Sequence, residues 1–139
     1  MSAVASPAQQ AVFFPASAPW REENGRLRLQ GSRCSNCKTT AFPHHSICPS
    51  CGQETGQDTV ELSDNGTIYT FSHIHTAPKG FATPYSTGYV DLPEGVRLFG
   101  QIDTKPSDIA IGDKVAIVLG TVRTDEAGRP VLSYKFKRI

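Results

Sequence analysis

The four cysteines of the chain fall into two pairs with the same internal spacing. Two residues separate Cys34 from Cys37, two separate Cys48 from Cys51, and ten lie between the pairs. Four thiolates at this spacing can close tetrahedrally on one metal ion, with Zn–S bonds of about 2.3 Å. We therefore predict a structural Zn²⁺ bound by all four cysteines, because a catalytic zinc keeps one position open for water.

Histidines offer two further places where a metal could bind. His44 and His45 lie between the cysteine pairs and could replace a cysteine ligand, although four thiolates already fill a tetrahedral site. His73 and His75 are two residues apart in a predicted strand, so their side chains share a face and could bind a metal or move a proton. Without a third ligand at a helpful spacing, an ordinary strand face is the favoured interpretation of this pair.

A loop at residues 76–85 carries one lysine and two aromatic residues among prolines and a glycine. Loops of this length in a compact domain are often functional. The ring of Phe81 or Tyr85 could hold an adenine, and the ammonium group of Lys79 could hold a phosphate. The alternative is a surface loop whose aromatic side chains cap the fold.

The N-terminal residues predict an arm followed by a short helix. Residues 1–19 have no charged side chain and form either a disordered leader or an extended arm that docks Phe13 and Phe14 on a partner. Residues 19–25 begin with proline, continue with acids and end in glycine, which predicts a short helix with Trp20 as its buried anchor.

Residues 20–56 are predicted to form one unit, in which a zinc ribbon follows the short helix. Residues 26–30 alternate and predict a strand leading into the first cysteine pair. The following residues, 31–56, contain few large apolar side chains apart from Phe42 and Ile47. Metal binding, worth about 10–16 kcal/mol in small zinc peptides, must therefore replace a hydrophobic core.

Residues 57–139 have the pattern of an all-β domain. Turn signals separate five runs rich in β-branched and aromatic residues, at 67–75, 85–91, 96–103, 115–122 and 132–137. Five short strands avoid exposed edges by closing into a barrel. The sequence thus predicts a mainly β protein in which a zinc ribbon precedes a five-stranded OB-fold barrel.

The last predicted strand alternates between the two faces of the sheet. Leu132, Tyr134 and Phe136 are expected to point inward. The outward-facing residues are then Ser133, Lys135 and Lys137. With Arg138, the two lysines form a basic stripe that is expected to be a solvated edge discouraging aggregation.

The charge balance disfavours some classes of partner. The formal net charge is +1, whereas proteins that bind a phosphate backbone usually carry a strong basic excess. The sequence contains no run of 18 apolar residues, so it predicts no membrane span. The absence of a basic, apolar start predicts a cytoplasmic protein, in which paired C-x2-C motifs indicate a metal and not disulfides.

Several motifs in a fixed order resemble a known family over about residues 18–139. The motifs are Gly25-x-Leu27-x-x-Gln30, Cys34-x2-Cys37, Cys48-Pro49-x-Cys51-Gly52, the strand starting at Gly66-Thr67-Ile68, Pro78-x-Gly80-Phe81, Pro84-Tyr85 and Leu92-x-Glu94-Gly95-x-Arg97-Leu98. Together they resemble the acyl-CoA-associated family once labelled a domain of unknown function. That family has a rubredoxin-like zinc ribbon followed by an OB-fold.

The resemblance implies that this chain is a non-catalytic subunit of a hetero-oligomeric complex with a thiolase-like protein. The complex as a whole would be an acyltransferase that acts on acyl-CoA in aromatic or lipid catabolism. Benzoylsuccinyl-CoA thiolase is one such setting. The family's zinc ligands correspond to the four cysteines. The resemblance also implies that the residues contacting CoA are Lys79, Gly80, Phe81 and Tyr85. The apolar leader before Trp20 departs from the family pattern.

Two other functions stay open from the residues alone. Zinc ribbons and OB barrels also occur in modules that bind single-stranded nucleic acid, where aromatic side chains stack on bases, although the near-neutral charge argues against this function. An independent zinc enzyme would need an open coordination position, which four thiolates do not leave.

Overall fold

The computed structural model describes residues 12–139 and is built almost entirely of β-strands. Its strands are β1 (Val12–Phe13), β2 (Trp20–Glu23), β3 (Arg26–Cys34), β4 (Thr40–Ala41), β5 (Gln57–Glu61), β6 (Asn65–Ile74), β7 (Tyr85–Asp91), β8 (Arg97–Ile102), β9 (Lys114–Thr124) and β10 (Pro130–Arg138). A 3-10 turn spans Pro106–Asp108. No helix within residues 12–139 is long and apolar enough to cross a membrane.

Strands β6 to β10 form a closed barrel, which confirms the predicted OB-fold. The strand order is β10-β8-β7-β6-β9, and β9 pairs back onto β10. The pairs are antiparallel except for the contact between β8 and β10, where Ile102 is the partner of Phe136. Because every barrel strand has two neighbours, the fold leaves no open sheet edge in the barrel.

A hairpin replaces the short helix predicted near Trp20, so that prediction is wrong. β2 pairs antiparallel with the start of β3, and Glu23 lies opposite Arg26. The two residues between the strands, Asn24 and Gly25, have φ angles of 53° and 79°. Asn-Gly with both φ angles positive is the preferred two-residue hairpin turn, so the glycine closes a hairpin and does not end a helix.

The N-terminal strand lies against this chain's own barrel. β1 pairs parallel with β10, and the Phe14 backbone N–H donates to the Leu132 carbonyl at 2.8 Å. The ring of Phe13 meets Trp20 edge-on, with centroids 6.1 Å apart. Phe14 is 62% exposed, so docking of this segment on a partner stays a prediction. The part of the predicted arm before residue 12 lies outside the described residues.

Strand β3 connects the ribbon to the barrel. Its first half pairs with β2, and its second half pairs with β4 and β5. Leu27 and Leu29 are fully buried in the same hydrophobic cluster as Ile68, Val115 and Phe136 of the barrel. The two parts therefore share one core, and the predicted boundary at residue 57 stays a prediction.

The alternation expected in the last strand is only partly correct. Phe136 is fully buried, as expected, but Ser133 is 6% exposed although it was predicted to face solvent. The buried residues of β10 are Val131, Ser133 and Phe136, so the alternation is lost between Ser133 and Phe136. Ser133 also lines a groove, described below, whose other walls include residues of the ribbon and of the segment after β1.

Candidate metal centre and ligand-binding surface

The two cysteine pairs lie in loops of matching geometry. The first follows β3, where the Lys38 N–H donates to the Cys34 carbonyl at 2.9 Å. The second lies before β5, where the Gly52 N–H donates to the Cys48 carbonyl at the same distance. Lys38 and Gly52 have φ angles of 66° and 78°, the left-handed conformation that turns each loop back on itself.

This geometry brings the four sulfur atoms together. All four Sγ atoms lie within 4.8 Å of one another, although the pairs are ten residues apart. The Cys34–Cys51 distance is 3.8 Å and the Cys37–Cys48 distance is 3.5 Å. Sulfurs at the corners of a tetrahedral site with bonds of about 2.3 Å lie about 3.8 Å apart. The cluster therefore has the size and donor set needed to hold one metal ion.

Hydrogen bonds favour the thiolate form of Cys34 and Cys37. The pKa of Cys51 is raised instead, because the lowering contact of the Gln53 backbone is outweighed by burial and by the neighbouring Cys37 and Cys48 thiols. The Cys37 backbone, followed by the Gln57 side chain, lowers the pKa of the Cys34 thiol to about 6. The Thr39 side chain, followed by its backbone, also lowers the pKa of Cys37. Since metals bind the thiolate form, these contacts prepare the site for a cation.

The histidines considered from the sequence lie outside this cluster. His44 Nε2 donates to the Gln57 carbonyl at 3.1 Å, so its ring is engaged with β5. His73 Nδ1 lies 2.8 Å from the hydroxyl oxygen of the buried Ser86, and its ring packs near Phe71. Within residues 12–139 the potential metal cluster consists of the cysteines alone.

The four residues predicted to contact CoA lie in the loop between β6 and β7 or at the start of β7, and two of them, Gly80 and Tyr85, line a common cavity of about 260 Å³. Lys79 and Gly80 line a cavity of about 570 Å³ together with Arg123. Phe81 and Tyr85 stack on each other instead, with centroids 5.6 Å apart and an interplanar angle of 19°. The Gly80 carbonyl accepts a hydrogen bond from the Thr124 N–H at 2.8 Å, which fixes the loop to the end of β9.

The opposite wall of that 570 Å³ cavity is a tight turn between β9 and β10. The Asp125 carboxylate accepts hydrogen bonds from the Ala127 and Arg129 N–H groups, at 3.0 and 2.8 Å. The Arg129 backbone contact, reinforced by the Arg129 side chain, lowers the pKa of Asp125. The turn therefore keeps its carboxylate ionised and directed at its own backbone.

An apolar groove of about 450 Å³ lies between the ribbon, the N-terminal strand and the barrel. We call it the aromatic groove. Phe42 comes from the ribbon and meets Tyr134 of the barrel edge-on, with centroids 5.7 Å apart. The other lining residues are Phe14, Pro15, Pro43, Phe81, Tyr85, Thr87, Phe99, Gly100, Gln101, Val122 and Ser133. Sequence reasoning missed this groove because its walls come from three separate parts of the chain.

A smaller cavity of about 260 Å³, here called the cationic cavity, adjoins the groove. It is lined by Arg123, Lys135 and Asp103, and the Asp103 carboxylate lies 3.9 Å from the Lys135 Nζ. The Lys135 side chain is only 12% exposed and its Nζ donates to the Thr121 carbonyl at 3.1 Å, so the prediction of a solvated position was wrong. Arg123 was missed because it follows the apolar run that predicted β9.

Residues 59–120 match a family model described as the C-terminal OB-fold domain of ChsH2. The benzoylsuccinyl-CoA thiolase subunit BbsA of Thauera aromatica is 44% identical over 112 residues, covering 80% of this chain and 76% of the relative. A DUF35 domain-containing scaffold protein of Methanocaldococcus jannaschii is 42% identical over 124 residues, covering 86% of this chain and 88% of the relative.

A solved structure shows the same fold. The structure described as the Ltp2-ChsH2(DUF35) aldolase matches with a TM-score of 0.64 and 32% sequence identity. The match covers 80% of this chain and 84% of the other. It extends beyond the span of the family model, so it covers ribbon residues as well as the barrel.

Proposed function

Because this chain belongs to the DUF35 family, with an OB-fold domain of the ChsH2 type, we propose that it is a zinc-containing, non-catalytic subunit of a thiolase-type complex acting on acyl-CoA thioesters. The clustering of all four cysteines carries the proposal. Thiolase-type acyl transfer needs a cysteine nucleophile activated by a nearby base. If every thiolate binds metal, the acyl-enzyme must form on a partner chain, and this chain supports assembly, CoA binding or gating.

The donor set supports zinc as the metal. Four thiolates in a tetrahedral arrangement are typical of structural zinc sites, which have no open position for a substrate. The bound ion would supply a cross-link between the two cysteine loops. Cys34 and Cys48 are buried and anchor it to the ribbon, while Cys37 and Cys51 complete the shell at the surface.

The names of the relatives support a shared acyl-CoA substrate. One is a thiolase subunit, one a scaffold protein, and the structural neighbour an aldolase complex. In this chain we propose that the loop with Lys79, Gly80, Phe81 and Tyr85 contacts the CoA part of that substrate. Lys79 and Arg123 line one cavity together with Asp125 and Glu126, and the hydrogen bonds and ion pairs found within residues 12–139 involve neither the Lys79 ammonium group nor the Arg123 guanidinium group. Both are therefore available for a phosphate.

Replacing Lys79 tests the CoA assignment. In the assembled complex, Lys79→Ala should raise the KM for the acyl-CoA substrate about fivefold to tenfold, because a charge-assisted contact to phosphate is lost. The melting temperature should change little, since the side chain is exposed. Lys137→Ala, on an exposed position of β10, is the matched control and should leave KM unchanged. An unaltered KM for Lys79→Ala would remove this loop from the CoA site.

The partner is tested by co-purification from the native host. A tagged copy of this chain should elute with a thiolase-superfamily protein identified by mass spectrometry, in a fixed ratio that survives size-exclusion chromatography. The same tag on an unrelated OB-fold protein controls for non-specific capture. A chain that runs alone at its own mass of 15.0 kDa, with no such protein in the eluate, would contradict the proposal.

Binding of single-stranded nucleic acid is the second candidate. Tyr89 and Phe99 lie side by side on the exposed face of β7 and β8, with centroids 5.1 Å apart, and these are the OB-fold strands on which bases stack. The net charge of +1 offers little attraction for a phosphate backbone. Micromolar, salt-sensitive binding in a fluorescence titration with oligonucleotides would favour this candidate.

A further inference from the structure

The aromatic groove and the cationic cavity are two parts of one continuous surface. Three residues, Tyr85, Gln101 and Val122, line both of them. A ligand that entered from one side would therefore meet a mostly apolar wall at one end. At the other end it would meet Arg123 and Lys135, which outnumber the single carboxylate of Asp103. Such a surface suits a ligand with an apolar group and an anionic group joined by a linker.

The groove itself offers apolar surface and few free polar groups. Gln101 Nε2 already donates to the Val122 carbonyl at 2.8 Å, and the Tyr134 hydroxyl donates to the Phe99 carbonyl at 2.8 Å. A purine ring needs hydrogen-bond partners for its nitrogen atoms, and burying them without partners is costly. The groove is therefore better suited to a hydrocarbon ring than to the adenine of a nucleotide.

The groove is also incompletely filled by the chain. Phe14 and Phe99, which both line it, are 62% and 52% exposed, so large apolar rings stay in contact with water. Its volume of about 450 Å³ falls in the range of small-molecule sites, which are concave and mainly apolar. An apolar group placed between these rings would remove that surface from water.

We propose that the aromatic groove binds the acyl group of the thioester and selects a bulky aryl or alicyclic ring over a short acyl chain. The cationic cavity then takes an anionic part of the same molecule beside Arg123 and Lys135. This inference rests on the proposed function and makes it more specific, because it names the substrate class. Phe99 is the test residue, since its exposed ring lines the groove without being part of the buried core.

The test measures binding of three probes to the full, metal-loaded chain: benzoyl-CoA, acetyl-CoA and free CoA. Isothermal titration should give a dissociation constant for benzoyl-CoA about tenfold or more below that for acetyl-CoA, because the phenyl ring buries additional apolar area. Phe99→Ala should remove most of this difference while leaving free CoA unaffected. Ile111→Ala, at an apolar residue that is 69% exposed and outside the groove, is the matched control and should keep the preference.

Three results would overturn the inference, and two of them leave the proposed function intact. Equal affinity for benzoyl-CoA and acetyl-CoA would show that the groove does not select the acyl group. An equal loss of affinity for all three probes in Phe99→Ala would place the nucleotide, and not the ring, in the groove. Failure of every probe to bind would reject both the groove and the CoA loop, whereas co-purification with a thiolase-like protein would still test the subunit role separately.

Discussion

Cys48→Ser is expected to lose its metal ion and the order of its ribbon. Cys48 is 2% exposed, and its sulfur accepts N–H groups from Ser50 and Cys51, both at 3.4 Å, so it links the second loop to the cluster. Removing one of four ligands weakens a site whose binding energy substitutes for a hydrophobic core. The free energy of unfolding should fall by about 4 kcal/mol or more, which lowers the melting temperature by roughly 10 °C or more.

Two measurements on Cys48→Ser distinguish loss of the metal ion from loss of the partner. Elemental analysis should find one zinc per wild-type chain and a large deficit in Cys48→Ser, and a pull-down should show release of the partner. Ser50→Ala lies in the same loop but keeps every sulfur, so it should retain metal, stability and partner. If Cys48→Ser kept the partner at the wild-type ratio, the ribbon would be neither the interface nor its support.

The isolated, metal-loaded chain should show no thiolytic cleavage of an acyl-CoA, and adding the partner should raise the rate at least a thousandfold. The physical reason is that an activated cysteine nucleophile is absent when all four thiolates are bound to metal. The measurement is thioester formation with CoA as acceptor, for each chain alone and for the reconstituted complex. The partner with its own nucleophilic cysteine replaced is the control and should be inactive even with this chain present.

Turnover by the isolated chain at a rate comparable with the complex would contradict the subunit role directly. A partner that was fully active without this chain would contradict it in a different way. In that case the chain would not support catalysis, although it could still bind the partner.

The local patterns that predicted the fold were those with a strict spacing. The cysteine pairs predicted the metal cluster because each loop turns on its own backbone hydrogen bonds, which depend only on neighbouring residues. The five β-rich runs predicted the barrel for a similar reason. Residues 19–25 failed because proline, acids and glycine fit a helix, while the hairpin depends on pairing with Leu27 and Leu29, which the shared core buries.

The ligand surface could be predicted only in part, because tertiary contacts create it. The loop of residues 76–85 was identified from its composition, but its stacking of Phe81 on Tyr85 was not. Phe42 and Phe14 come together at one groove from the ribbon and the N-terminal strand, and no sequence spacing relates them. Lys135 was assigned to solvent from alternation, whereas the barrel brings it beside the Thr121 carbonyl.

The position of the acyl group during turnover tests most directly whether the acyl-enzyme forms on the partner and not on this chain. The reconstituted complex would be mixed with an acyl-CoA, quenched in acid before completion and analysed by intact-mass spectrometry of each chain. We predict that the partner gains the mass of one acyl group while this chain, once its metal is released by the acid, keeps its unmodified mass. An acyl group on Cys34, Cys37, Cys48 or Cys51 would contradict the account.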